Sequence, residues 1–255
     1  MINKGIILAG GSGSRLKPLT KVISKHLLPL YDKPMIYYPL STLIQAGINH
    51  ILIITDPKNL YNYKTLLGNG KKYGLNINYE IQTKPEGIAQ SFLIAEKFLK
   101  NSNCTLILGD NFFFGYGLSE KIKNKNISGA KIFIHPVKNP NNYGVPKIVK
   151  NKIIKIYEKP SKFISNYAVT GLYQYDNNVV RYAKTLKKSK RGEYEITDLN
   201  NIYLKKKKLN YEILGKSYTW LDAGTFDDML DASLFVRTIQ QRQGFSIGNI
   251  EKIKK

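Results

Sequence analysis

Three stretches combine residue types and spacings suited to phosphate chemistry. Leu8-Ala9-Gly10-Gly11-Ser12-Gly13-Ser14-Arg15-Leu16 sets glycines and a guanidinium directly after an apolar run. Glycines there let backbone N–H groups approach phosphate oxygens with no Cβ in the way, and Arg15 adds a planar, charged fork. The pattern is not a dinucleotide fingerprint, because Leu16 stands where the third glycine belongs, nor a Walker A loop, which needs Gly-Lys-Ser/Thr. Gly215-Lys216-Ser217 supplies that tripeptide, but Asn210 replaces the first glycine and a strand-like run follows. Lys25, in Ser24-Lys25-His26, brings a second cation from beyond a loop containing Pro18. Asp110 ends the apolar run Leu106-Ile107-Leu108-Gly109, and Asp222 ends Trp220-Leu221. Two carboxylates meeting at a triphosphate suffice for Mg²⁺, which keeps several waters and takes one or two protein oxygens. Farther on, Glu158-Lys159-Pro160 and Arg191-Gly192-Glu193 pair cations suited to a sugar phosphate with carboxylates suited to sugar hydroxyls. Taken singly, each feature has a plainer reading as a turn, a turn cap or a surface ion pair.

The elements that must position these residues alternate β-rich and helical runs through the first half, the signature of βαβ units on a mainly parallel sheet. Strands are predicted at Gly5–Ala9, His50–Thr55, Asn76–Gln82 and Thr105–Leu108, and helices at Pro34–Ala46, Asn59–Leu67 and Ile88–Leu99. Pro39 inside the first helix predicts a kink. From about Ala130 the chain turns β-rich, with strands at Ala130–Val137, Tyr143–Val149, Lys152–Tyr157 and Ala168–Tyr175. Helices follow at Asn177–Leu186, Ile196–Lys206 and Phe226–Gln241. In open sheets of this class ligands sit outside the carboxyl ends of the strands, so Asp110 is expected to face the same crevice as the glycine loop.

The composition narrows the classes. With 255 residues and 42% apolar content the chain can bury a sizeable core, which excludes intrinsic disorder. The net charge of +22 suggests a polyanionic partner, yet only five of the 40 cations are arginine and the lysines are scattered apart from Lys205–Lys208. That reads as compositional drift and a solvated helix end, so no nucleic-acid partner is expected. One cysteine, Cys104, cannot form an intramolecular disulfide, and His26, His50 and His135 show no metal-ligand spacing. No apolar run approaches the roughly 20 residues of a membrane helix, and the N-terminus lacks a secretory pattern, so a cytoplasmic protein without a membrane partner is expected.

Read together, the motifs resemble the sugar-phosphate nucleotidyltransferases from Gly5 to about Gly244. The resemblance is carried by Gly5-Ile6-Ile7-Leu8-Ala9-Gly10-Gly11-Ser12-Gly13, Asp32-Lys33-Pro34-Met35-Ile36-Tyr37-Tyr38-Pro39-Leu40-Ser41, Leu108-Gly109-Asp110-Asn111, Asn166–Tyr173 and Glu195-Ile196-Thr197-Asp198. It implies an α/β, Rossmann-like nucleotidyltransferase fold, with a mainly parallel central sheet flanked by helices and a β-rich sugar-binding lobe. One domain would comprise a nucleotide-binding half (1–129), a sugar-phosphate-binding half (130–244) and a short tail (245–255). The implied reaction joins dTTP to glucose 1-phosphate with Mg²⁺, giving dTDP-glucose and pyrophosphate, a first step towards dTDP-rhamnose-type sugars. In family terms Arg15 and Lys25 are catalytic, Gly10, Gly13, Ser14, Arg15, Lys25 and His26 take the triphosphate side, and Gln82 and Gly87 take the pyrimidine. Asp110 and Asp222 hold the metal, with Asp110 also at the nucleotide. Asn111, Gly144, Glu158, Lys159, Val169 and Arg191 hold the sugar phosphate. A homo-oligomer, the family tetramer, is also implied.

Three departures from the family pattern stand out. His26 occupies a position usually held by Gln, and Pro146-Lys147 replaces the usual Val-Glu. The chain stops soon after Gln243-Gly244, whereas related enzymes continue for a few dozen residues that contribute to assembly and effector binding. That leaves feedback inhibition and the tetramer open at this level.

Overall fold

Ile6, Ile7 and Ala9 have no exposed surface on the first strand, β1 (Asn3–Ala9). Its neighbour in the sheet, the strand His50–Thr55, is buried at five of six positions. Strands covered on both faces read as continuous apolar runs, which is why both were legible as parallel strands. The computed structural model describes residues 3–123 and 127–251. Of the expected tail, residues 252–255, including Lys254 and Lys255, lie outside the described residues.

After β1 come β2 (Pro29–Leu30), β3 (Lys33–Pro34), α1 (Tyr37–Gln45), β4 (His50–Thr55), α2 (Leu60–Leu67) and β5 (Asn76–Ile81). They are followed by α3 (Gln90–Ile94), α4 (Glu96–Leu99), β6 (Asn103–Leu108), β7 (Asn111–Gly115), α5 (Leu118–Ile122) and β8 (Ala130–Pro136). Next are β9 (Gly144–Val149), β10 (Lys152–Glu158), β11 (Tyr167–Tyr175), α6 (Val179–Ala183) and α7 (Ile196–Lys205). The last elements are β12 (Leu209–Ile213), β13 (Tyr218–Asp222) and α8 (Phe226–Gln243). A mostly parallel seven-stranded sheet runs in the order β12-β8-β11-β6-β1-β4-β5, with two-stranded ribbons β10-β9, β13-β7 and β2-β3 beside it.

The chain divides into two units whose segments interleave. Among the described residues, one comprises 86–106 and 127–218 with residue 3, and the other 4–85, 107–123 and 219–251. In the second unit, β1 pairs parallel to β4 from Gly5 opposite Ile51 to Ala9 opposite Thr55, and β4 pairs parallel to β5 up to Thr55 opposite Ile81. The three strands therefore end in register, so the residues that follow them, Gly10, Asp56 and Gln82, emerge at one edge. Helix α8 covers the ribbon of this unit through a core of Met35, Tyr38, Phe112, Ala223, Ala232 and Val236, with Phe112 edge-on to Tyr38 and Phe235. A capping box starts α8: Thr225 accepts from the Asp228 N–H while the Asp228 carboxylate accepts from Thr225.

In the first unit, β8 pairs antiparallel to β11 and parallel to β12, and β9 with β10 forms a separate antiparallel hairpin. Asp176, just after β11, ties this unit together. Its Oδ1 accepts from the Tyr203 hydroxyl (2.8 Å) and Asn178 N–H (3.0 Å), and its Oδ2 from Gly129 N–H (3.0 Å) and the Asn178 amide (3.1 Å).

Several sequence expectations shift. The first helix begins at Tyr37, which puts Pro39 in its opening turn, where a missing N–H costs nothing, so the expected kink does not arise. The run Ile88–Leu99 is two short helices parted at Ala95, where the backbone flattens to ψ 0°. Strands β2, β3, β7 and β12 and helix α5 were not foreseen. The Lys205–Lys208 run closes α7 as expected of a solvated helix end, with Lys206 over the Tyr182 ring. No helix among the described residues is long and apolar enough to cross a membrane. Removing the four acceptor contacts in Asp176→Ala is expected to lower stability by about 3 kcal/mol in urea unfolding, since bonds to a buried charge are worth about 1.5–3 kcal/mol each but share one side chain.

Candidate active site

The glycine loop leaves β1 and turns through Gly13, whose left-handed backbone (φ 55°) starts a short 3₁₀ turn, Ser14–Leu16. The Thr20 hydroxyl donates to the Gly13 carbonyl at 2.8 Å and holds the loop in shape. Gly10 must lack a side chain for a second reason: a Cβ there would lie 2.2 Å from Gln82 Oε1. Gln82 is buried, so its amide rests directly on the loop backbone. Among the described residues the N–H groups of Gly11, Ser12 and Gly13 meet no backbone acceptor, which leaves them to an anion. Beside the loop opens a cavity of about 460 Å³, bounded by Gly11, Ser12, Lys21, Lys25, Asn59 and Gln82.

The acids and cations of the same unit meet at the end of β6. Lys25 is ion-paired with Asp110 Oδ2, both side chains being about seven-eighths buried. Asp110 Oδ1 accepts from the Asn111 amide at 2.9 Å, and Asn111 in turn accepts from the Trp220 indole N–H at 2.6 Å. The Ala223 N–H donates to the Asp110 carbonyl at 3.0 Å, which fastens the end of β13, and with it Asp222, against Asp110. Both Arg15 Nη2 and Asp222 Oδ1 border Gly224, where a Cβ would lie 2.8 and 3.1 Å from them. Against the upward push of burial, the Lys25 charge and the hydrogen bonds from Lys25 and Asn111 hold the Asp110 carboxyl well below its usual range. Asp222 goes the other way: burial and the Asp110 charge push it up to about 7, despite Lys25 and Arg15. One lysine cannot neutralise two adjacent carboxylates.

Among the described residues Asp222 Oδ1 is buried and accepts no hydrogen bond, the kind of acceptor a divalent cation satisfies. Among the described residues no group of three His, Cys, Asp or Glu is arranged to hold a metal. A bound ion would therefore rest on Asp110 and Asp222 alone, which fits Mg²⁺.

His26 lies beneath this group, 2% exposed. Burial first and the Lys25 charge second push its pKa down to about 3, against Asp110 and a hydrogen bond to the Ala9 backbone, so the ring is neutral. Its Nδ1 is 3.1 Å from Ser24 Oγ.

The other unit carries a second cluster. Arg191 binds Glu195 through two parallel hydrogen bonds (3.1 and 2.7 Å) and also reaches Glu193 (3.3 Å) and Glu158 (3.4 Å). Glu195 also accepts from Ser189 Oγ (2.6 Å), and Glu158 from Thr197 Oγ1 (2.6 Å). Despite the cost of burial, these bonds hold the Glu195 carboxyl below its usual range, while Glu195 raises Arg191. A Cβ on Gly144 would lie 3.1 Å from Thr197 Oγ1 and 3.7 Å from Glu158 Oε2. Lys159 follows with a left-handed backbone (φ 42°) and donates its N–H to the Tyr143 carbonyl at 3.0 Å. Gly87 (φ 99°) packs on the Tyr194 backbone, and Val169 is buried in β11 opposite Ile134.

The residues singled out in the sequence thus fall into two groups. Gly10, Gly13, Ser14, Arg15, Lys25, His26, Gln82, Asp110, Asn111 and Asp222 belong to one unit, and Gly87, Gly144, Glu158, Lys159, Val169 and Arg191 to the other. Sequence reasoning gave no site role to Thr20, Ser24, Trp220, Glu195 or Thr197, although the last two lie in a stretch that carries the family resemblance. A signal existed for the last two, since Glu195 is the N-cap of α7 and Thr197 lies in its first turn. Trp220 carried none.

A glycine loop with donors open to an anion, a cation–acid pair and an unsatisfied second acid, carried on a mostly parallel sheet, suit the holding of a polyphosphate with a divalent cation. The chain belongs to the nucleotidyl transferase family, whose sequence profile matches residues 4–239. It is 52% identical to the glucose-1-phosphate thymidylyltransferase of Mycolicibacterium smegmatis over 98% of this chain and 88% of the relative. Identity to the enzyme of that name from Neisseria meningitidis serogroup A is 49%, with the same coverage. A crystal structure from Bacillus anthracis, provisionally assigned the same activity and holding sucrose, superposes with a TM-score of 0.85 at 45% identity, covering 92% of this chain and 95% of that one. A UDP-glucose pyrophosphorylase with bound UDP-glucose shares the fold alone (TM-score 0.81, 23% identity, 93% and 99% coverage).

The raised Asp222 carboxyl has a measurable sign. Its value is near 3.8 unfolded and about 7 folded, so the metal-free fold binds the extra proton and loses stability as pH climbs from 4 to 7. Asp222→Asn removes that loss. With a chelator present, its melting temperature is expected to match the parent near pH 4 and exceed it increasingly up to pH 8, Asp110, Lys25, Arg15 and Asp228 being common to both proteins.

Proposed function

We propose that this chain transfers a thymidylyl group from dTTP to α-D-glucose 1-phosphate, releasing pyrophosphate and dTDP-glucose, with Mg²⁺ as cofactor. The single observation that carries the reading is the Lys25–Asp110 pair beside the unsatisfied Asp222 and Arg15. It is supported by about 50% identity to thymidylyltransferases over nearly the whole chain. The same proposal includes a cytoplasmic location, a homo-oligomer, and a place at the head of dTDP-rhamnose-type sugar synthesis.

The phosphate oxygen of glucose 1-phosphate is already an anionic nucleophile at neutral pH, so no general base or covalent intermediate is needed. The barrier is the repulsion between two polyanions, and the protein answers it with fixed charge and alignment. Gly10, Gly13 and Ser14 offer backbone to the triphosphate, and Gln82 and Gly87 offer hydrogen bonds to the pyrimidine. Arg15, which forms no ion pair among the described residues, stabilises charge developing on the α-phosphate and the leaving pyrophosphate, and Lys25 does so from beside Asp110. Mg²⁺ held by Asp110 and Asp222 would supply Lewis-acid stabilisation of the same charge. Asn111 keeps the Asp110 carboxylate in its orientation. On the sugar side, Glu158 accepts from hydroxyls, Lys159 supplies the cation for the phosphate, and Gly144 and Val169 leave room. Arg191 is already shared among three carboxylates, so its contribution is to hold Glu158 in place as much as to meet the phosphate.

Pyrophosphate release with glucose 1-phosphate, Mg²⁺ and each nucleotide in turn tests the reading. dTTP is expected to turn over fastest, with UTP slower at matched concentration, and silence with every nucleotide would end it. Arg15→Ala is expected to lower kcat by about 10²–10³-fold, as losing one preorganised charge donor does, and near-normal turnover would remove Arg15 from the mechanism.

A further inference from the structure

We propose that His26 is a positioning residue: a buried strut that fixes the Ser24–Leu27 turn, and so Lys25, against the carboxyl ends of β1 and β6. The inference rests on the nucleotidyl-transfer reading above but replaces the nucleotide contact expected of His26 with a role behind Lys25.

Four observations carry it. The ring is 2% exposed, and Gly109, which it borders, is also bordered by the Leu8 carbonyl near the end of β1. Its Nδ1 lies 3.1 Å from Ser24 Oγ, which lies 2.9 Å from the Tyr63 hydroxyl. Buried among these partners, the ring is closed to a ligand. The ring also lies under the end of β6, because a Cβ on Gly109 would lie 2.8 Å from His26 Cδ2, and Gly109 immediately precedes Asp110. Finally, the turn around it is held from every side by backbone. The His26 carbonyl accepts from Ile36 N–H (2.8 Å), the Leu27 N–H donates to Ser24 (3.0 Å), and the Ser24 N–H donates to Asn59 Oδ1 (2.8 Å). Asn59 is itself clamped by both oxygens of Asp56 (3.0 and 2.9 Å), the residue following β4. The turn that presents Lys25 is therefore referenced to the ends of β1, β4 and β6 at once, and His26 is the member that touches two of them. An ammonium on a four-carbon stem loses its pairing with Asp110 when its backbone moves by about an ångström, a displacement that can cost about 10²-fold in rate.

The test uses His26→Phe, which keeps a ring of similar bulk without hydrogen bonds, and His26→Gln, which restores a donor. Two readouts are taken: steady-state kinetics with dTTP and glucose 1-phosphate, and the rate of reductive methylation of Lys25 followed by peptide mass spectrometry. His26→Phe is expected to lower kcat about a hundredfold with both KM values within about twofold, and to methylate Lys25 several times faster than the parent. His26→Gln is expected to recover much of both. A raised KM for dTTP with kcat intact would make His26 a nucleotide contact, and parental kcat with parental Lys25 labelling would leave it no role; either result overturns the proposal. Should His26→Phe not fold, Ser24→Ala removes the Nδ1 partner, together with the Tyr63 hydroxyl's partner, while keeping the ring, and is expected to move the same two readouts in the same direction, with unchanged values counting against the strut. If the parent itself releases no pyrophosphate, the proposed reaction fails, while the labelling rates still decide whether His26 holds Lys25.

Discussion

The arrangement depends on two carboxylates forced together in a place with little water. One main-chain hydrogen bond, from Ala223 N–H to the Asp110 carbonyl, joins the start of one ribbon strand to the end of the other, and the side chains of Asp110 and Asp222 must share the space beside it. Lys25 satisfies only Asp110. The result is an asymmetric pair, one acid held ionised and the other pushed towards protonation. A site built this way is short of positive charge by design of its geometry, and it is relieved by whatever cation arrives. The backbone that creates the shortage is secured by the packing of α8 over Phe112 and Ala223.

Charge compensation also separates the two arginines that the sequence assigned to phosphate groups. Arg15 stands at the exposed rim of the glycine loop, bordering Gly224 and Asp222, and has no ion pair among the described residues. Arg191 is held by three carboxylates and by the Ser189–Glu195 turn. A guanidinium already surrounded by acids offers an incoming phosphate less than one that is not, because the carboxylates must first be displaced or outbid. The two units therefore use the same residue type differently: one keeps its arginine available, and the other uses it to set the orientation of Glu158.

Legibility followed burial. β1, β4, β6, β8, β10 and β11 were readable to within about two residues because long apolar runs bounded by glycine or turn residues leave little choice of element. β12 was missed because it is a short edge strand, exposed or half-exposed at every position, so it carries no apolar run. β7 was missed because Asn111-Phe112-Phe113-Phe114-Gly115 has no period-two alternation, its phenylalanines being shared between ribbon and helix packing. The start of α1 was misjudged because Lys33 and Pro34 pair back onto Pro29 and Leu30, a contact that local propensity does not report. In the site, the glycine loop, Lys25 and the two acids were visible as chemistry at strand ends, whereas Trp220, Ser24 and Tyr63, which act only through another side chain, were not.

By itself the sequence determined the buried strands and main helices, the family, and the identity of the charged groups suited to phosphate, since these are written in runs of a few residues and in residue chemistry. Only the tertiary structure decided which charges are spent and which remain. Protonation, burial and ion pairing depend on atoms brought within a few ångströms from positions as far apart in the chain as Arg15, Asp110 and Asp222, and no local pattern encodes those distances.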